Sequence, residues 1–270
     1  MNSTRRKLIE KKAASARERC QSLLGPFGEI TDIFSCGDYL DYKLIRYPIG
    51  KESLLGFIQL RDDDCVIFSN SSARLSREIF TVAHEIGHYE LHIGEKYRCL
   101  EDATFDSKMI IEQEANYFAA CFLMPHDTVE NCIKTITKDG HVRDAMEIVT
   151  LMCRYHVSYD MVIARLEYLQ MLDLSAKERL EREKAERTVG GMLKVIGGDA
   201  ALNQPSNIRQ IPEQYLDWIC SNYRRGLIPK ETINKALKYF DTDVDELNLR
   251  EDVRSKEEES LEDLLGRITE

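Results

Sequence analysis

The sequence predicts an α+β protein that is mostly α-helical. Two observations carry this. Three short extended runs fall between residues 42 and 68, bounded by turn residues. From about residue 75 onward, apolar residues recur at helical spacing almost to the end of the chain. The composition agrees: of 270 residues, 43% are hydrophobic and 31% charged, enough for one good core and a small second domain.

The elements follow in order. Residues 3–24 read as a basic amphipathic helix with Leu8, Ala14, Leu23 and Leu24 among its apolar positions, broken at Pro26 and Gly28. The runs YKLIRY (Tyr42–Tyr47), LLGFIQL (Leu54–Leu60) and CVIF (Cys65–Phe68) are separated by Pro48, Gly50 and the turn Arg61–Asp64. They predict a small antiparallel sheet. Asp62, Asp63 and Asp64 read as a solvated turn, because a calcium loop alternates its carboxylates about a glycine. An apolar stripe of Ile79, Phe80, Ala83, Ile86 and Leu91 then marks a helix, with Ser72 or Ser76 as N-cap and Gly94 as its stop. A second helix runs from about Met109 to Met124 and ends at Pro125. Two more, near 142–155 and 158–172, are joined by a short turn and resemble a helix-turn-helix. Residues 176–187 are nearly all charged or alanine and read as a solvated arm. Two Gly-Gly pairs and Pro205 mark 188–206 as a linker. Pro212, Gly226 and Pro229 punctuate a helical hairpin, and the last twenty residues are acidic, with Leu261, Leu264, Leu265 and Ile268 at helical spacing. The expected divisions are a core domain at 1–130, a helical extension at 131–175, an arm and linker at 176–206, and a small hairpin with an acidic tail at 207–270.

Charge narrows the function. Thirty-seven basic against 47 acidic residues give −10, and residues 241–270 alone carry four against twelve, or −8. Around the helix-turn-helix-like pair, Arg143, Arg154 and Arg165 are balanced by Asp144, Glu147, Asp160 and Glu167. A nucleic-acid reader needs a basic face, so direct nucleic-acid binding is not expected. No run approaches the roughly 20 apolar residues that cross a bilayer. The basic start is followed by no apolar core, so no membrane role is expected and a cytoplasmic location is. The cysteines Cys20, Cys36, Cys65, Cys99, Cys121, Cys132, Cys153 and Cys220 form no C-x-x-C pair. They read as free thiols, not as a disulfide framework or a thiolate zinc site.

The segment TVAHEIGHYELH (Thr81–His92) contains H-E-x-x-H within a predicted helix. Residues four apart share a helix face, so His84 and His88 can grip one metal ion, while Glu85 can reach a bound water without ligating. A catalytic zinc site needs a third protein ligand and an open position. His92 stands about 12 Å along the axis from His84, too far for three side chains of one straight helix to meet a single ion. The next helix offers Glu112 in IEQEANYFAA, with Asn116 one turn later to orient a ligand. Glu114 is the competitor, but it lies about 200° around the helix from Glu112, so both cannot face the metal. A further donor for the oxyanion is expected. Tyr89, His92, Tyr97, Tyr117 and His126 are the nearby candidates, unranked.

HEIGHYELH followed by EQEANYFAACFLMP, with Arg77, Phe80 and Thr81 leading into the first motif, resembles the ImmA/IrrE family of metallopeptidases over about residues 30–170. The resemblance implies a zincin-like core in the first domain, with His84, His88 and Glu112 as ligands of Zn2+ and Glu85 as the catalytic glutamate. It implies a zinc-dependent endopeptidase acting on a specific protein substrate, a helix-turn-helix DNA-binding repressor of a mobile element or stress regulon. The alternative is a non-catalytic metal-binding regulator or a toxin-antitoxin-type partner protein. The sequence leaves the cut site, the activating signal and the oligomeric state open.

Overall fold

The computed structural model describes residues 1–61, 64–92, 105–137 and 139–250. Asp62, Asp63, Gly94, Tyr97, Cys99 and the acidic residues 251–270 lie outside the described residues. The chain divides into two compact units, Met1–Gln210 and a second from Ile211 on.

The first unit opens with α1 (Ser3–Arg19), capped by the Asn2 side chain, which accepts from the Arg5 amide. Its buried face is Ile9, Ala13 and Ala16, whereas Leu8 is 43% exposed. The helix thus turns a narrower, smaller-residue face inward than its leucines suggest. It also ends at Arg19, so Leu23 and Leu24 fall outside it. A short helix, α2 (Gly37–Leu40), leads into β1 (Lys43–Tyr47), β2 (Gly56–Arg61) and β3 (Asp64–Asn70).

The sheet order is β1-β3-β2, and the sheet is mixed. β2 and β3 form an antiparallel hairpin, pairing Phe57 with Phe68 and Ile58 with Ile67. β1 runs parallel to β3, pairing Leu44 with Ile67. The expected all-antiparallel sheet is therefore corrected. A two-residue connection forces β2 and β3 into a hairpin. The longer segment after β1 carries the chain past the position of β3, which leaves β1 and β3 side by side in the same direction.

Seven helices complete this unit: α3 (Leu75–His92), α4 (Phe105–Leu123), α5 (His126–Ile136), α6 (Ala145–Tyr155), α7 (Tyr159–Tyr168), α8 (Leu174–Glu186) and α9 (Val189–Ile196). Asp144 and Glu147 form a capping box on α6, and Ser158 caps α7. Neither Ser72 nor Ser76 caps α3. The Arg74 carbonyl accepts from the Arg77 and Glu78 amides instead, and the Ser72 hydroxyl accepts from the Gly50 amide. One apolar core runs through the unit, from Ile9 through Ile67, Ile86, Phe118, Phe122, Leu151 and Tyr155 to Leu180, Leu193 and Leu202. The stretch read as a solvated arm buries Leu180, and Tyr159 donates to the Leu180 carbonyl at 2.9 Å. The stretch read as a linker is largely α9 and a following 3-10 turn, with Met192, Leu193 and Leu202 buried. A tract with Gly190, Gly191, Gly197 and Gly198 still buries apolar side chains, and that tertiary gain overrides its low helix propensity.

The second unit has its own small core of Cys220, Tyr223, Ile233, Leu237, Val244 and Leu249. It is built from α10 (Glu213–Arg224) and α11 (Lys230–Leu237), with Gly226 at φ 69° stopping the first. The seven cysteines among the described residues are free thiols. No helix there is long and apolar enough to cross a membrane.

Two contacts fix the elements that carry the site. Gly87 of α3 faces α4 so closely that a Cβ there would lie 3.0 Å from the Ala115 carbonyl oxygen and 3.2 Å from Phe118 Cβ. The second is an ion pair sealed inside the unit. Arg46 of β1 donates to Glu78 of α3 through Nε at 2.8 Å and Nη2 at 3.0 Å, and the hydroxyls of Ser69 and Ser206 each add a bond to Glu78 at 3.0 Å. Gly87→Leu is expected to cost about 1–3 kcal/mol of stability by overpacking that crossing. Glu78→Ala, which strands a buried guanidinium, is expected to cost about 3–5 kcal/mol. Urea denaturation of the purified chain measures both, and a loss below about 1 kcal/mol for Glu78→Ala would show that Arg46 is satisfied without it.

Candidate metal centre

His84 and His88 stand one turn apart on a face of α3 that lines a cleft with β2. The close crossing at Gly87 brings α4 over that face and sets Glu112 opposite the two imidazoles. His84 Nε2 lies 3.0 Å from His88 Nε2, and the Glu112 carboxylate oxygens lie 3.1 Å from His84 Nε2 and 3.4 Å from His88 Nε2. Ligands held about 2 Å from a shared tetrahedral centre stand about 3.3 Å apart, so the donor set has the spacing of a metal site. Among the described residues this is the one such cluster of histidine, cysteine and carboxylate groups. The Glu112 side chain is 59% exposed, so the cluster opens to solvent on that side.

Each imidazole is held from behind. His84 Nδ1 and Asn116 Oδ1 are 3.0 Å apart. With the proton on Nδ1, His84 donates to the amide oxygen and leaves the Nε2 lone pair facing the cluster. On the other ligand, His88 Nδ1 lies 3.1 Å from His92 Nδ1, and His92 Nε2 lies 3.0 Å from Glu114 Oε2. Arg5 of α1 closes the chain with bonds to Glu114 at 2.7 and 2.5 Å. With His92 donating to Glu114 and accepting from His88 Nδ1, His88 also turns its Nε2 lone pair toward the cluster. His92 and Glu114 are thus supports, not members of the cluster. Burial raises the Glu114 carboxyl, but hydrogen bonds from Arg5 and His92 outweigh it, and the net shift is downward. Burial pushes His88 down to about 3, aided by His84 and His92, so its ring is neutral.

Glu85 is buried beside the cluster. It helps line a cleft of about 670 Å³ with His84, His88, Glu112, Asn116 and the strand residues Gly56, Phe57 and Ile58. Gly56 permits this approach: a Cβ there would come within 2.4 Å of Thr81 Cγ2 and 3.7 Å of Glu85 Oε1. Burial, then the charge of Glu112, raises the Glu85 carboxyl to about 8.

The other candidate donors sit elsewhere. Tyr89 donates to the Asp41 carbonyl at 3.3 Å, Tyr117 bonds Glu10, and His126 lies beside Asp127 at 3.1 Å. None of these three lines the cleft. Arg77, Phe80 and Thr81 do line it. Their place in the sequence just ahead of His84 was the available signal. The distant Arg5 gave none, because nothing in α1 announces a partner on α4.

Among curated proteins, none matches the chain. Residues 38–167 match the family model described as Peptidase_M78, IrrE N-terminal-like domain, and that span holds all three cluster residues and Glu85. Over this span the chain is therefore similar to the metallopeptidase-like IrrE N-terminal domain.

Proposed function

We propose that the chain is a zinc-dependent endopeptidase that cuts a specific protein, a helix-turn-helix transcriptional repressor by the family likeness. The observation that carries the peptidase reading is the set of three donor atoms 3.0–3.4 Å apart, with the buried carboxyl of Glu85 on the same cleft wall. Two imidazoles and one carboxylate suit zinc better than calcium or magnesium, which take oxygen donors. His84, His88 and Glu112 would hold the ion, leaving the exposed side for water and substrate. When bound, zinc supplies a Lewis acid that polarises a carbonyl and lowers the pKa of water toward about 7.

The protein's own groups supply the rest. A divalent cation opposes the burial and charge effects that raise Glu85, so its carboxylate is the form available to accept a proton. Glu85 takes the proton of the attacking water and passes it to the departing amine nitrogen. β2 is an outer strand of the sheet, and its backbone beside the cleft can hydrogen-bond an extended peptide. An extended segment of a partner is offered by its locally unfolded or exposed stretches.

Glu85→Gln is expected to retain the metal and lower cleavage about 10²–10⁴-fold. The measurement is co-expression with candidate repressors, mass spectrometry of their fragments and metal analysis of the purified protein; undiminished cleavage removes Glu85 from the reaction. His88→Ala is expected to lose the metal. Metal loss without any cut partner for the parent protein would favour the non-catalytic regulator. Glu114→Ala is expected to weaken zinc about 10–100-fold through loss of the His92 support, read by competition with a chromophoric chelator. Unchanged zinc affinity would make that chain of bonds purely structural.

A further inference from the structure

A second, larger cavity of about 960 Å³ adjoins the cleft. The two share Leu55, Arg77 and Phe80 as walls, so they form one continuous groove along α3. Its lining is electropositive for several separate reasons. Lys51, Arg74 and Arg77 point no charge at a carboxylate: none has an ion pair among the described residues. Lys184 also lines it, but it is neutralised by Asp160 at 2.5 Å. The first turns of α3, α7 and α9 all reach this cavity, through Ser76, Tyr159 and Val189. Ser158 and Thr188 cap α7 and α9. α3, the longest of the three, has no side-chain cap among the described residues. Ser76 in its first turn is only 4% exposed, and its hydroxyl has no hydrogen-bond partner there. The Leu75, Arg77 and Glu78 amides are bonded to backbone carbonyls, which leaves the Ser76 amide, the Ser76 hydroxyl on the cavity wall and three cations without an ion pair as the groups that suit an anion.

We propose that this groove binds an acidic segment of the polypeptide substrate and so selects where the chain is cut. The proposal rests on the peptidase reading. The groove's continuity with the cleft favours a polypeptide over a free small anion, because a chain lying in the cleft must leave along this groove or away from it. Arg77 of α3 and Arg74, the residue just ahead of that helix, precede His84 by seven and ten residues. At 1.5 Å per residue they stand about 10 and 15 Å from it along the axis. An extended peptide covers that distance in about three to five residues. The selected glutamate or aspartate therefore lies about three to five positions from the bond cut.

The test reads binding and not cleavage. A fluorescein-labelled peptide of alternating glutamate and glycine, and its glutamine counterpart, are titrated with the full chain and followed by fluorescence anisotropy. The glutamate peptide is expected to bind at least about tenfold more tightly, with salt weakening it. Arg74→Glu with Arg77→Glu is expected to abolish that difference, as is Lys51→Glu, which sits on a different element. Both arginines are exposed, and glutamate suits the start of α3, so the thermal midpoint of the double variant should not fall. His88→Ala is expected to leave peptide binding intact. Equal binding of the two peptides, or undiminished binding by the folded variants, overturns the proposal. Complete displacement by inorganic phosphate at the peptide's own concentration also overturns it, assigning the groove to a small anion. None of these results touches the Glu85→Gln cleavage test, so failure here and failure of the peptidase reading are told apart.

Discussion

The crossing of α3 and α4 at Gly87 is the contact on which the centre depends. His84 and His88 come from one helix and Glu112 from another, and no local feature of either helix brings them together. What does is the missing side chain at Gly87, opposite the Ala115 backbone and Phe118. Any larger residue must push α4 outward, and donor atoms 3.0–3.4 Å apart leave no slack for that. Interiors transmit such displacements because they are close-packed. The glycine is costly within a helix by about 1 kcal/mol. Its presence in the middle of α3 is explained by geometry at the centre.

Behind this crossing, hydrogen-bonded polar groups hold the ligands in orientation. Arg5, Glu114 and His92 form a chain that ends on His88, and Asn116 does the same for His84. These contacts make α1 part of the centre, although it contributes no ligand. Arg46 and Glu78 tie the other end of α3 to the edge strand β1, and Ser69 and Ser206 add to the same carboxylate. Half-satisfied networks of this kind cost stability, and satisfied ones enforce a single arrangement. The position of α3 is thus set at both ends by charge-assisted bonds and along its back by Ile79, Val82, Ala83 and Ile86.

The sequence made the centre legible where chemistry follows from short spacing. His84 and His88 are four apart on a helix, and Glu112 and Asn116 share a face of the next, so their grouping follows from helical geometry alone. The 200° separation of Glu114 from Glu112 also anticipated that one faces the cluster and the other turns away. The pairing of β1 with β3 was not legible, because strand patterning carries no information on neighbour order. Nor was the packing of α8 and α9 into the first core. Composition described 176–187 as charged and 188–206 as glycine-rich, but single buried residues such as Leu180 and Leu193 decide the matter. α5 was missed because its polar start after Pro125 masks the buried stripe of Val129, Cys132 and Ile133.

The charge at the start of α3 runs against ordinary helix design. Acidic residues belong in a first turn, where each is worth about 0.3–1 kcal/mol against the positive end of the dipole. Glu78 is the acidic residue there, but it is committed to Arg46 in the interior. Arg74 and Arg77 instead add positive charge to an end without a side-chain cap, both on the larger cavity's wall and Arg77 also on the cleft's. Local rules are broken in this way where an external group completes the arrangement. An arriving carboxylate would meet the Ser76 hydroxyl and amide and the guanidinium groups together. The stability forgone in the free protein is then recovered on binding, and only by a partner bearing that charge at that distance from the cluster.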